Sequence, residues 1–209
     1  MTIRDNGAGK PYYTQRNNRL SPGAACSVTA MIAALSAAGW DVDGMVAAGW
    51  QPEDALMQFI RTDSQVLAKY DAIDPKHTCP PNEWHPVLSF ATDLWLKRLT
   101  GRSGIVEWGT HRTIRDFARA IDEGGAVVTS GIFRDHKGKS LHHVVAVVGY
   151  YGNADSPTGV ILDDSWGNYK DGYLTQRGKG IWMPKDDFAA MINYTGGQLK
   201  IGHIVRRFR

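Results

Sequence analysis

"HHVVAVVGYYGNADSPTGVILDDSWGNY", residues 142–169, holds two apolar runs separated by a turn. Two histidines enter the first run and two aspartates leave the second. Val144, Val145, Val147 and Val148 put β-branched side chains on both faces, so 142–150 reads as a central strand. Residues 159–166 read as its hairpin partner, which would carry Asp163 and Asp164 toward His142 and His143. The arrangement has two readings. One is a buried hairpin whose polar ends meet; the other is half of a catalytic site that needs a nucleophile from elsewhere.

Working outward, "GAVVTSGIF" (125–133), "GKGIWMP" (178–184) and "KIGHIVRRF" (200–208) are further β-rich runs punctuated by turn residues. A short helix is expected over 185–193. The first half has the other period. In "ACSVTAMIAALSAAGW" (25–40), Val28, Met31, Ile32 and Leu35 form a helical stripe, with alanine over much of the remaining surface. That pattern predicts a central buried helix closed by Gly39. "QPEDALMQFIRT" (51–62) is helical, with Pro52 near its start and acids in the first turn. "NEWHPVLSFATDLWLKRLTG" (82–101) offers Asn82 as a cap and Gly101 as a stop, and the proline-rich 71–82 reads as a loop. Residues 113–125 form another amphipathic helix ending in glycines. A short extended segment, "PYYTQ" (11–15), precedes the polar loop 16–23. Helices first and strands later argue an α+β fold, expected as one domain over 1–209.

Composition narrows the function classes. The 209 residues are 43% hydrophobic and 22% charged, which suits a globular chain with a sizeable core. A net charge of +3 is mildly basic and leaves no nucleic-acid footprint; Arg206, Arg207 and Arg209 read as a solvated tail. Cys26 and Cys79 make no disulfide framework. The N-terminus lacks an apolar signal region, and no stretch approaches the ~18 apolar residues of a membrane span. The expectation is synthesis in the cytoplasm without a signal peptide.

Cys26 sits at or near the start of the buried helix, where the helix's partial positive charge favours a thiolate nucleophile. Equally, it reads as a small apolar side chain packed among alanines. A histidine opening the central strand serves as general base only if a third group fixes its tautomer and orientation, and an aspartate on the next strand is such a group. Nucleophile, base and orienter thus have candidates in the order Cys, His, Asp.

"PYYTQRNN", "ACSVTAMIAAL", "HHVVAVVGY" and "LDDSWGNYKDGY", followed by "RGKGIWMP", stand in one order over most of the chain. In that order the sequence resembles papain-like cysteine peptidases, and within them the stand-alone relatives of double-glycine leader (bacteriocin-processing) peptidases. The resemblance implies a papain-like fold and Cys26 as nucleophile. It selects His143 over His142, because the family's histidine precedes a Gly-Tyr pair whose glycine lies six residues on, here Gly149. It selects Asp164 over Asp163 as the orienter, from "DSWG". Gln15 matches the family's oxyanion-hole glutamine. Ser27-Val28 after the cysteine depart from the family's usual Gly-Pro or Asn-Val. The implied activity is amide hydrolysis through an acyl-enzyme, with no cofactor and no metal. A peptide or peptidoglycan stem peptide is the expected substrate, the latter for a phage lysin-type enzyme reaching the wall through a holin.

Two rival expectations come from other classes. A papain-like fold without turnover would be a binding module for a peptide or cell-wall ligand. A zinc protein would use His77, Cys79 and His85, although their spacing fits no usual ligand pattern. Trp166 reads either as a cover over the His–Asp hydrogen bond or as core.

Overall fold

The computed structural model describes residues 2–192 and 202–208. Its helices are α1 (Cys26–Ala37), α2 (Pro52–Thr62), α3 (Ser64–Ile73), α4 (His85–Thr100), α5 (Ile114–Asp122) and α6 (Lys185–Met191). Its strands are β1 (Ile3–Asp5), β2 (Val106–Gly109), β3 (Ala126–Arg134), β4 (Ser140–Asn153), β5 (Ser156–Asp164), β6 (Gly178–Pro184) and β7 (Gly202–Val205). The strands form one antiparallel sheet in the order β2-β7-β3-β4-β5-β6, with β1 added against β4. This is the α+β arrangement the sequence implies.

β4 is central. Val144, Ala146 and Val148 face the core built around α1, while Val145 and Val147 face the one built on α5 and α6. Valine on both sides is what a strand covered on both faces requires. Between Val147 and Gly149 the pairing with β5 slips by a bulge, so Tyr150 joins the second core. β1 pairs with β4 at that point, Asp5 opposite Gly149, and a Cβ on Gly149 would lie 2.4 Å from the Arg4 carbonyl oxygen, so only glycine fits.

α1 is apolar almost all round, and every residue from Ser27 to Ala37 is buried. Each large side chain so buried contributes about 1.5–3 kcal/mol. The helix closes in a Schellman motif: Trp40 N–H bonds the Leu35 carbonyl, Gly39 N–H bonds that of Ser36, and Gly39 has φ +90°. α5 begins with a reciprocal Thr113–Asp116 capping box.

Several expected boundaries differ. Asn82 does not cap α4, which starts at His85 after Trp84; it is fully buried in a 3-10 turn and donates to Ala24 O (3.0 Å) and Ser27 Oγ (3.3 Å). The loop expected over 71–82 begins later, because Asp63 caps α3 and the helix runs to Ile73. Gln15 ends the 11–15 segment not as a strand but as the first residue of a 3-10 turn, Gln15–Asn17. Residue 193 of the expected short helix, and 200 and 201 of the last expected strand, lie outside the described residues.

Candidate active site

Cys26 is the first residue of α1, and no side chain caps that helix end. The nucleophile candidate therefore meets the first-turn N–H groups directly, and the thiol is part-exposed rather than sealed in the core. A carbonyl oxygen tied down by Asn82, that of Ala24, anchors the turn before it.

His143 lies near the start of β4, opposite Gly131 of β3. A Cβ there would lie 2.8 Å from the Met191 carbonyl oxygen, so glycine lets the end of α6 pack against the strand. Phe133 and Tyr173 meet the imidazole edge-on, with ring centroids 5.5 and 6.1 Å away. Its Nε2 is 2.7 Å from Asp164 Oδ1, leaving Nδ1 as the nitrogen available to Cys26. Burial disfavours the charged ring, but Asp164, with help from the neighbouring Cys26 side chain, outweighs it and raises the His143 pKa to about 10.

Asp164 is fully buried and fully used. Oδ1 also accepts from Trp166 N–H (3.0 Å), and Oδ2 accepts from Tyr173 O–H (3.2 Å). Asp163 points to the other face of the sheet. There it accepts from Gly180 N–H (2.8 Å), with Lys179 Nζ at 3.5 Å, and burial pushes its pKa up. Adjacent residues on a strand face opposite ways, so these two carboxylates have separate environments. His142 is exposed on the same principle, while His143 is buried.

The segment before the cysteine is laced to the segment after Asp164. Tyr12 O–H donates to Asp164 O (2.7 Å), and Thr14 Oγ1–H and Gln15 N–H donate to Ser165 O (both 3.1 Å). Ser165 Oγ–H donates to Gln15 Oε1 (2.7 Å), and one Gln15 Nε2–H goes to Pro22 O (2.9 Å). The other Nε2–H remains for the narrow cleft, of about 130 Å³, that Gln15 lines with Cys26, His143 and Trp166.

Tyr173 was not indicated by the sequence. It adopts φ +70°, held by its own N–H to Asn168 O, in the loop after a 3-10 turn. "DSWGNYKDGY" shows a tyrosine nine residues on, but nothing in its spacing says that the chain doubles back. Trp166 lines the cleft, and the Arg16 guanidinium lies over its ring.

The zinc-loop residues do not converge. His77 pairs with Asp71 (2.8 Å), while His85 turns the other way, with Nδ1 2.8 Å from His203 Nε2 and Nε2 3.1 Å from Ser130 Oγ. Among the described residues no group of three His, Cys, Asp or Glu side chains is placed to hold a metal. No helix of the described residues is long and apolar enough to cross a membrane.

A buried helix opened by a cysteine, packed on an antiparallel sheet that offers a histidine, is the layout of papain-like cysteine peptidases. The family model described as the Peptidase_C39-like family matches residues 9–198, and the chain belongs to that family. No curated protein matches the sequence.

Proposed function

We propose that the protein hydrolyses peptide amide bonds with Cys26 as nucleophile, His143 as acid and base, Asp164 as orienter and Gln15 as oxyanion donor. The observation that carries this reading is the 2.7 Å contact between His143 Nε2 and Asp164 Oδ1. It directs the remaining ring nitrogen toward the helix end that bears Cys26. The sulfur attacks the carbonyl carbon, forming a C–S bond. The oxygen, now negative, lies against Gln15 Nε2–H and Cys26 N–H; one such donor contributes about 10²–10³ in rate. Collapse breaks the C–N bond, and His143 gives its Nδ1 proton to the departing amine. Water then attacks the thioester as His143 takes a proton, releasing the acid and restoring the sulfur.

Peptidoglycan stem peptides are the substrate favoured by the net charge of +3, because the bacterial wall is anionic and attraction raises encounter rates. Purified protein is incubated with peptidoglycan sacculi and, separately, with casein. Muropeptides with new amine termini, absent for Cys26→Ala, support a wall endopeptidase. Casein cleavage with intact sacculi from several bacteria supports a general peptidase instead. Inertness toward both contradicts the proposal in favour of a binding module.

A further inference from the structure

Arg16, like Arg19 and Arg115, is held by a backbone carbonyl oxygen rather than by a carboxylate. Arg98, Arg112, Arg119 and Arg206 each pair with an aspartate or glutamate. Arg16 is held without one: its Nε–H donates to Trp166 O (2.7 Å), and its guanidinium carbon lies 4.2 Å from the centre of the Trp166 ring. Among the described residues no carboxylate lies within ion-pair distance of it. One of its five N–H donors is used, and the planar fork of the other four is oriented but not neutralised.

The location gives this charge a meaning. Trp166 lines the cleft that contains Cys26 and His143, and its N–H bonds the same Asp164 oxygen that holds His143. The indole therefore lines the cleft together with His143, and the guanidinium is held against the indole. Under the mechanism proposed above, on which this inference rests, His143 protonates the leaving amine, so the half of the substrate that leaves passes this side. Arg16 is held against Trp166, which lines the cleft, and a residue spans at most ~3.3–3.6 Å, so the charge is within reach of one or two residues beyond the scissile bond.

We infer that Arg16 selects substrates bearing a carboxylate within the first two residues after the scissile bond. A guanidinium stacked on an indole has lost water from one face, and its fork matches a carboxylate's two oxygens. The carboxylate is either the substrate's terminal α-carboxylate or an acidic side chain; the chemistry is the same, and the probes below separate them.

The test uses alkylating agents with a carboxylate one residue beyond the reactive carbon, so that no cleavable sequence need be known. Rates at Cys26 are measured by peptide mass spectrometry for bromoacetyl-glycine, bromoacetyl-glycinamide and the bromoacetyl-aspartate α-amide. The wild type is expected to favour an acid over the glycinamide by about tenfold, the scale of one charged hydrogen bond at a part-exposed site. Arg16→Gln should lose that preference, and Arg16→Lys should keep part of it. The preference is a ratio within each variant, so partial misfolding cancels. Faster reaction of the glycine acid assigns the α-carboxylate; faster reaction of the aspartate compound assigns the side chain. Equal rates for acids and amide in the wild type overturn the inference alone. So does a preference that survives in Arg16→Gln, since the His143 imidazolium then produces it. If Cys26 reacts no faster than Cys79 with any reagent, the peptidase reading falls as well.

Discussion

Replacing Asp164 tests the link between the carboxylate and the charge on His143. In the native protein Asp164, with help from Cys26, raises His143 from 6.5 to about 10 against the effect of burial. At 1.36 kcal/mol per pH unit, that rise corresponds to roughly 5 kcal/mol favouring the imidazolium. In Asp164→Ala the charge and the hydrogen bond are gone while burial remains, so the His143 pKa falls and only the Cys26 side chain still favours the charged ring. Asp164→Asn keeps an oxygen for Nε2–H, and its amide can donate to Tyr173 in place of the present reversed bond; it loses only the charge. Charged hydrogen bonds are about twice as strong as neutral ones, so the asparagine variant should fall between wild type and alanine.

The assay is the rate of Cys26 alkylation by iodoacetamide from pH 5 to 9, beside turnover of whichever substrate, sacculi or casein, the wild type cleaves. At pH 6 the rate should fall at least tenfold in Asp164→Ala and less in Asp164→Asn. Turnover should drop roughly a hundredfold or more for alanine, the scale of a lost acid–base function, and by about tenfold or less for asparagine. Asp163→Ala, which loses only the Gly180 and Lys179 contacts, should keep its alkylation profile and give up about 1–3 kcal/mol of stability. An unchanged profile in Asp164→Ala, or the same loss in Asp163→Ala, refutes the reasoning.

Other expectations follow from the same geometry. His143→Ala should abolish turnover of the substrate the wild type cleaves while a thermal melt stays cooperative, and the exposed His142→Ala should do far less harm; the reverse order would place the active face of β4 wrongly. Gln15→Ala should lower kcat about 10²–10³-fold, and an effect confined to KM would remove Gln15 from the oxyanion's donors. Burial depresses His85 to about 4 and also lowers His203, against 6.5 when unfolded. Groups kept neutral in the fold contribute stability above pH 6.5 that is lost as pH falls toward 4, by up to about 3 kcal/mol from His85 alone. His143, shifted upward, contributes below pH 6.5 and loses that contribution as pH rises through about 10. A calorimetric melting point that stays flat from pH 7 to 4.5, or a His85→Gln variant with unchanged acid sensitivity, would contradict the assignment to the histidine pair.

What the sequence carried and what it withheld divide along physical lines. Valine on both faces marks β4 as central, and the alanine-rich run after Cys26 marks α1 as buried, because burial on all sides leaves a compositional trace. β1 and β2 leave none: three and four residues long and largely exposed, they are set by the edges they join. The bulge at Val147–Gly149, beside the point where β1 pairs with β4, is equally silent. At the site, the family motifs distinguish Asp164 from Asp163 and strand alternation sets them on opposite faces, but only the sheet reveals which partners each carboxylate meets. Tyr173, Arg16 over Trp166, and His85 against His203 are meetings of distant or doubled-back segments, which local pattern does not encode.

The central claim is that Cys26 is a nucleophile made reactive by His143. Intact-mass and peptide-mass measurement after exposure to the epoxide inhibitor E-64 tests it most directly. The account predicts one adduct per chain, on Cys26, with Cys79 spared and no adduct in His143→Ala. Equal labelling of Cys79, or labelling of Cys26 that persists without His143, would contradict it.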